Sequence, residues 1–288
     1  MTEFEWLAST DPAAMLAHLN GPRSRSGFSA HTGRDEVVYE HPPSDRKLRL
    51  FAAGCCRQAW SRLTDERSRR AVEVAERYAD GQATRQELGD ARMAAAEASV
   101  RGWGAADLAT HCAERHVGGR WSEAATLICN PDHGNLELPM ADLLRCLFGN
   151  PFRPARLIDA ALGERIRKAT GWTATPPRGP EIDGALLAWN NGTASRLAQG
   201  IYDERRWEDL PILADALEEA GCDDEKVPCP TGCKKKGGTY RVADGSICPN
   251  CHGGTGCTFA ENPLLTHLRG PGPHARGCWA LDLILGKG

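Results

Sequence analysis

Apolar residues return at steps of three and four along most of this 288-residue chain, the spacing of helices with one buried face. Asp11-Pro12 has the form of a helix start, Met15, Leu16 and Leu19 then share a face, and Asn20-Gly21 stops it. From Ser44, the residues Leu48, Phe51, Ala52, Cys55, Ala59 and Leu63 carry one stripe over about five turns. Thr64-Asp65 caps a further helix with Val72, Ala75 and Tyr78-Ala79 inside, closing at Gly81. Thr84-Arg-Gln-Glu87 is a capping box ahead of an alanine-rich helix reaching about Val100.

Weaker periodicity predicts helices over 104–117 and 121–129, and a firm one runs from Met140 to Phe148 before Gly149-Asn150-Pro151. Residues 155–169 read as another helix, and Thr173 to Gly184, with three prolines, as a linker. Thr193 to Arg205 and Leu210 to Ala220 form a helical pair, with Pro211 in the first turn of the second. Asn262-Pro263 opens a short helix to Leu268, and a last one spans about Ala275 to Leu285. Outside the cysteine-rich segment described next, only Glu36-Val-Val-Tyr-Glu40 reads as a strand, inside a Gly/Ser/Arg/Pro-rich inserted loop, 21–43.

One segment breaks the helical pattern. Cys229, Cys233, Cys248 and Cys251 follow C-x3-C-x14-C-x2-C, each pair beside turn-forming residues. Two such turns aim four thiolates at one point, a tetrahedral shell suited to Zn2+. Between them Thr239 to Cys248 reads as two short strands joined at Asp244-Gly245, the turn of a zinc ribbon. Cys257 and His252 are spare ligands. Four thiolates leave no open position for water, so the ion's role is to fold a segment with few large apolar residues. The fold class expected is mainly α, an irregular multi-helix body (1–225 and 261–288) interrupted by an inserted β-hairpin zinc module, 226–260.

Charge changes the picture locally. Residues 226–258 hold Lys226, Lys234, Lys235, Lys236 and Arg241 against Asp244, a formal +4, while the rest of the chain is formally −7. Lys234, Lys235, Lys236 and Arg241 are therefore the candidate nucleic-acid contacts; with Tyr240 the one aromatic for base stacking, a solvated loop is the simpler reading. The chain as a whole, at −3, has no global pull toward polyanions or membranes. Twelve cysteines in 288 residues is below the density of a disulfide scaffold. No apolar run reaches a membrane-spanning length, and the first ten residues lack a leader pattern, so a reducing cytoplasmic setting is expected.

Three further groupings in the body carry potential chemistry. His274, Cys278 and Asp282 recur at i, i+4 and i+8, the materials of a thiol nucleophile, although a packed Cys278 beside Trp279 fits the spacing better. His111, Cys112 and His116 offer two or three metal ligands. Cys55 fits the apolar stripe and Cys56 flanks it, so both read as packing residues. Arg269 and Arg276 flank the turn Gly270-Pro-Gly-Pro-His274, where an anion or the chain path alone would explain them. No phosphate-binding loop, dinucleotide fingerprint, zinc-protease or serine-hydrolase motif occurs, and no small-molecule cofactor is indicated.

Several blocks resemble an expanded, uncharacterised bacterial family of helical proteins: Glu5-Trp6 through Asp11-Pro12, Asp45 to Phe51, Asp65 to Val72, Phe148 to Pro154, Leu210 to Leu217 and Gly270 to Trp279. The resemblance implies a helical body with the zinc module as an accessory, and no activity to carry over. Cys248 to Gly256 also resembles the CxxCxGxG repeat of DnaJ-type zinc domains, with one extra residue before the last glycine, one pair of knuckles, and no His-Pro-Asp motif in the chain. The expectation is a zinc-binding, non-catalytic adaptor with a protein partner. The alternatives are a nucleic-acid-binding protein using the basic ribbon and an enzyme centred on the helical body.

Overall fold

Ser44 accepts a hydrogen bond from the Lys47 amide and opens the helix around which the first part of the protein is built, Asp45–Gln58. The computed structural model describes residues 1–19, 43–99, 105–114, 139–152, 154–158, 181–222, 234–236, 239–241, 246 and 262–287. Its described residues are mainly helical: α1 (Glu3–Ala8), α2 (Pro12–Leu19), α3 (Asp45–Gln58), α4 (Glu66–Ala79), α5 (Arg85–Ala98), α6 (Ala105–Cys112), α7 (Met140–Phe148), α8 (Trp189–Glu204), α9 (Leu210–Glu219), α10 (Pro263–Arg269) and α11 (Trp279–Leu285). Four three-residue strands complete them: β1 (Arg156–Ile158), β2 (Glu181–Asp183), β3 (Lys234–Lys236) and β4 (Thr239–Arg241). Among the described residues no helix is long and apolar enough to cross a membrane.

Internal contacts divide the chain into two units, one of Met1–Pro154, Gln199–Trp207 and Pro271–Gly288, the other of Ala155–Ala198 and Glu208–Gly270. In the first unit α3 packs against α4 and α6, and also against α7. Nine consecutive residues from Leu48 to Cys56 are buried as a result. Covering a helix this way removes its solvent face, and so Cys56, expected beside the stripe, is as fully buried as Cys55. Arg49 is carried inside with it; its guanidinium donates to the Cys112 carbonyl at 2.7 Å and stacks over Tyr78. Burial lowers the Arg49 pKa below its ordinary value, opposed by nearby Cys112 and Tyr78. The α3 stripe does not run on as α-helix to Leu63: the helix ends at Gln58 and a 3-10 turn, Trp60–Arg62, follows.

Caps fix the neighbours. Asp65 accepts from the Arg67 amide at the start of α4, and Thr84 and Glu87 form the expected reciprocal box at α5. A second box, Thr2 with Glu5, opens α1, a helix absent from the sequence expectations. Trp6 of α1 is fully buried, and its indole nitrogen donates to the Gly149 carbonyl at 3.0 Å, tying the N-terminal helix to the end of α7. The last helix begins at Trp279 rather than near Ala275, because residues 270–278 follow a Gly/Pro-directed path with Gly272 and Gly277 at positive φ.

In the second unit β1 pairs in parallel with β2, Arg156 opposite Glu181 and Ile158 opposite Asp183. This corrects three expectations: the helix over 155–169 at its start, the linker over 173–184 at its end, and Glu36–Glu40 as the sole strand outside the zinc module; residues 159–180 lie outside the described residues. The Leu157-Ile158 pair suits an extended backbone. Asn190, Asn191 and Gly192 are left-handed, so regular α8 begins at Thr193 as expected. Leu213 and Leu217 of α9 pack with Leu264, Leu265 and Leu268 of α10, whose N-cap Asn262 also donates to the Cys222 sulfur at 3.2 Å. β3 and β4 are antiparallel, Lys234 opposite Arg241 and Lys236 opposite Thr239. The lysine run is thus strand where a loop was expected. Residues 20–42, including Glu36–Glu40, and residues 121–129 lie outside the described residues.

Candidate metal centre

Helix α7 buries Met140, Ala141, Leu143, Leu144, Cys146 and Leu147, so the Cys146 thiol points into the first unit's interior. The chain meets it again through the segment after Pro271. Gly277, at φ 83°, lies so close to α3 that an added Cβ would stand 2.8 Å from Leu50 Cδ1; only glycine passes there. That approach sets the next residue, Cys278, as the N-cap position of α11, fully buried, with its amide donating to the Ala275 carbonyl at 3.0 Å.

Three donor atoms converge as a consequence. Cys146 Sγ stands 3.8 Å from His274 Nδ1. The ligand atoms of Cys146, His274 and Cys278 all lie within 4.8 Å of one another. Tetrahedral zinc, with Zn–S about 2.3 Å and Zn–N about 2.05 Å, requires edges of about 3.8 Å between sulfurs and about 3.6 Å from sulfur to nitrogen. The atoms therefore need to close by about 1 Å at most to hold an ion. Two thiols and an imidazole are a borderline-soft donor set that suits zinc over magnesium or calcium.

The electrostatics argue against a nucleophile. The hydrogen bond with Cys278 and burial push the Cys146 thiol well above its ordinary value; the Ala275 backbone and the Lys47 charge pull the other way and lose. A reactive cysteine has the opposite arrangement, a lowered pKa and an exposed sulfur, and Cys146 is 2% exposed. Asp282, the third member of the expected nucleophile set, turns elsewhere: its carboxylate takes two bonds from Arg46, at 2.7 and 2.9 Å, and an ion pair with Lys47 at 2.6 Å.

Those bonds belong to a buried network beside the thiols. Arg46 also reaches Asp80 at 3.0 Å and the Tyr202 hydroxyl at 2.9 Å, and Tyr202 donates on to Asp80 at 2.9 Å. Burial first, and then the neighbouring Asp80 and Asp282, raise the Tyr202 pKa against the opposing Arg46 charge, so the phenol stays protonated. Burial alone would weaken the Arg46 proton's hold; the bonds and charge of Asp282 outweigh it and raise its pKa. Arg276 pairs with Asp80 at 3.4 Å and donates to the Asp203 carbonyl, and Arg269 in the second unit pairs with Asp215 and Glu218. Both flanking arginines thus pair with carboxylates of the protein.

The other sequence-predicted residues fall as follows. Cys229, Cys233, Cys248 and Cys251, with Cys257 and His252, lie outside the described residues. Lys234, Lys235, Lys236 and Arg241 are brought together on the paired strands β3 and β4. Cys112 does not join a metal set through His111: its sulfur donates to the Ala109 carbonyl at 3.1 Å and hydrogen-bonds Cys56, while His111 lies 3.5 Å from Glu114. His116 lies outside the described residues. Cys146 was missed, and the i, i+4 spacing of His274 and Cys278 was the one local signal for the centre. Family models, curated proteins and solved structures were each compared with this chain, and none matches it.

Proposed function

We propose that this protein binds zinc in its helical body, through Cys146, His274 and Cys278, and acts as a non-catalytic adaptor for a protein partner. The convergence of those three donor atoms carries the reading. Both thiols are buried, Cys146 at 2% and Cys278 at 0% exposure, so the ion lies away from solvent and its work is architectural. It fastens the last segment of the chain to α7. The four cysteines Cys229, Cys233, Cys248 and Cys251 supply a second, ribbon-type zinc in the same proposal.

Cobalt substitution tests it. Tetrahedral Co2+ bound by thiolate gives intense visible and near-ultraviolet bands. A Cys248→Ser/Cys251→Ser protein should keep such bands from the body centre, and adding Cys146→Ser should remove them. A Cys248→Ser/Cys251→Ser protein that shows no thiolate–cobalt band would end this reading. Native co-purification with and without nuclease treatment then tests the adaptor role: a partner that stays bound after nuclease supports it, and one lost with the nucleic acid opposes it.

One observation favours nucleic acid as a second reading. The register sets Lys234 opposite Arg241, and like charges directly opposite destabilise a two-strand pair unless an anion compensates them. Changing Lys234, Lys235 and Lys236 to Ala would then reduce the logarithmic salt slope of nucleic-acid binding by about 2 to 3. An absence of binding at low salt, by mobility shift on single-stranded and duplex RNA and DNA, would dismiss it.

A further inference from the structure

We infer that Lys47 is the positioning residue of the body metal centre, holding the backbone of both thiol ligands in metal-ready geometry. This rests on the zinc reading above. The ammonium has three N–H bonds to give and faces three partners. It donates to the Leu147 carbonyl at 2.9 Å and to the Gly277 carbonyl at 2.6 Å, and forms an ion pair with Asp282 Oδ2 at 2.6 Å. Leu147 directly follows Cys146, and Gly277 directly precedes Cys278.

One nitrogen therefore ties α7 to the segment before α11 at the peptide units flanking the two ligands. The two carbonyl oxygens can be no farther apart than the two bond lengths together, about 5.5 Å. Both carbonyls need such a partner. Leu147 sits in the last turn of α7, where helix carbonyls lack an intrahelical donor, and Gly277 lies in irregular chain packed on α3. The ion pair fixes the ammonium itself. Asp282 is 3% exposed and is gripped from the other side by Arg46, so Lys47 is aimed rather than floating. Outer partners of this kind hold ligands at the spacing an ion requires, so that binding does not have to order them.

The test is zinc affinity in full-length protein carrying Cys248→Ser/Cys251→Ser, measured by competition with a chromophoric chelator. Lys47→Met should weaken binding on the order of 10- to 100-fold, the effect of losing an outer partner of a ligand. Glu76→Gln, which disturbs a buried ion pair with Arg57 and Arg205 and touches neither thiol, should lower the melting temperature without changing zinc affinity. The thiolate–cobalt band should also shift and broaden in Lys47→Met and keep its shape in Glu76→Gln. If Lys47→Met does not fold, Lys47→Arg is read the same way, since its planar fork cannot meet both carbonyls and the carboxylate from one nitrogen. Equal zinc affinity in the Lys47 variant and its parent would overturn the inference and leave the metal centre standing. A parent that binds no zinc would overturn both.

Discussion

Two pairs of buried cysteines lie in the first unit, and they are built for different ends. Cys56 and Cys112 hydrogen-bond between α3 and α6; Cys146 and Cys278 do so between α7 and the N-cap of α11. Burial comes first among the causes raising Cys56, with Cys112, Cys55 and Glu76 adding to it and nothing opposing. Cys146 has an imidazole 3.8 Å away and a lysine charge that favours its thiolate. Among the described residues, only the second pair gathers a third ligand. Burial and sulfur proximity are therefore common to both sites. What separates the packed thiol pair from the candidate metal site is the added imidazole and a nearby cation that favours the thiolate.

The largest effect expected from breaking this contrast comes through Asp282. Asp282→Ala leaves Arg46 and Lys47 buried without their shared carboxylate, a loss of about 3–5 kcal/mol in urea unfolding. It should also loosen the Lys47 clamp and so weaken zinc binding. Next come the cysteines themselves. With free zinc near 1,000 times the dissociation constant, Cys278→Ala should forfeit about 4 kcal/mol of zinc-dependent stabilisation. Cys112→Ala should forfeit none of it, and its cost should be the same with zinc or with chelator. A zinc-dependent cost at Cys112 would erase the distinction between the pairs.

A smaller, graded effect concerns pH. The Cys146 thiol is raised in the metal-free protein, so it holds its proton through neutrality and must release it to bind zinc. Zinc affinity should accordingly rise with pH, by at least about 1 logarithmic unit per pH unit between roughly 6 and 8. Competition titrations at several pH values check this, and a flat profile would mean that no raised thiol is a ligand. The smallest change belongs to Thr84→Ala, which removes the α5 cap far from either pair, costing about 1 kcal/mol with no change in zinc affinity.

How much of this was legible beforehand depended on the distance over which each feature is decided. The caps at Ser44, Asp65, Thr84 and Asn262 and the helix Met140–Phe148 are local chemistry, and each stands where its residues predict. The strand Arg156–Ile158 was misread because its partner, Glu181–Asp183, lies more than twenty residues away and neither segment alternates strongly. Cys56 is a packing residue as read, though buried more deeply than a place beside the stripe implies: periodicity assumes one solvent face, and α3 has neighbours on both sides. The metal centre was half visible. The spacing of His274 and Cys278 drew notice with Asp282 as the supposed third member, but Arg46 and Lys47 occupy that carboxylate. Cys146 stands 128 residues before His274, and no local pattern announces a ligand at such a distance.

The most direct test of the central claim is the zinc content of purified full-length protein against a Cys146→Ser/Cys278→Ser variant, by elemental analysis after exchange into metal-free buffer. The centre described here predicts that the variant, still helical by circular dichroism, holds one zinc per chain fewer than the parent, whatever the parent's total. Equal zinc content in the two folded proteins would contradict it.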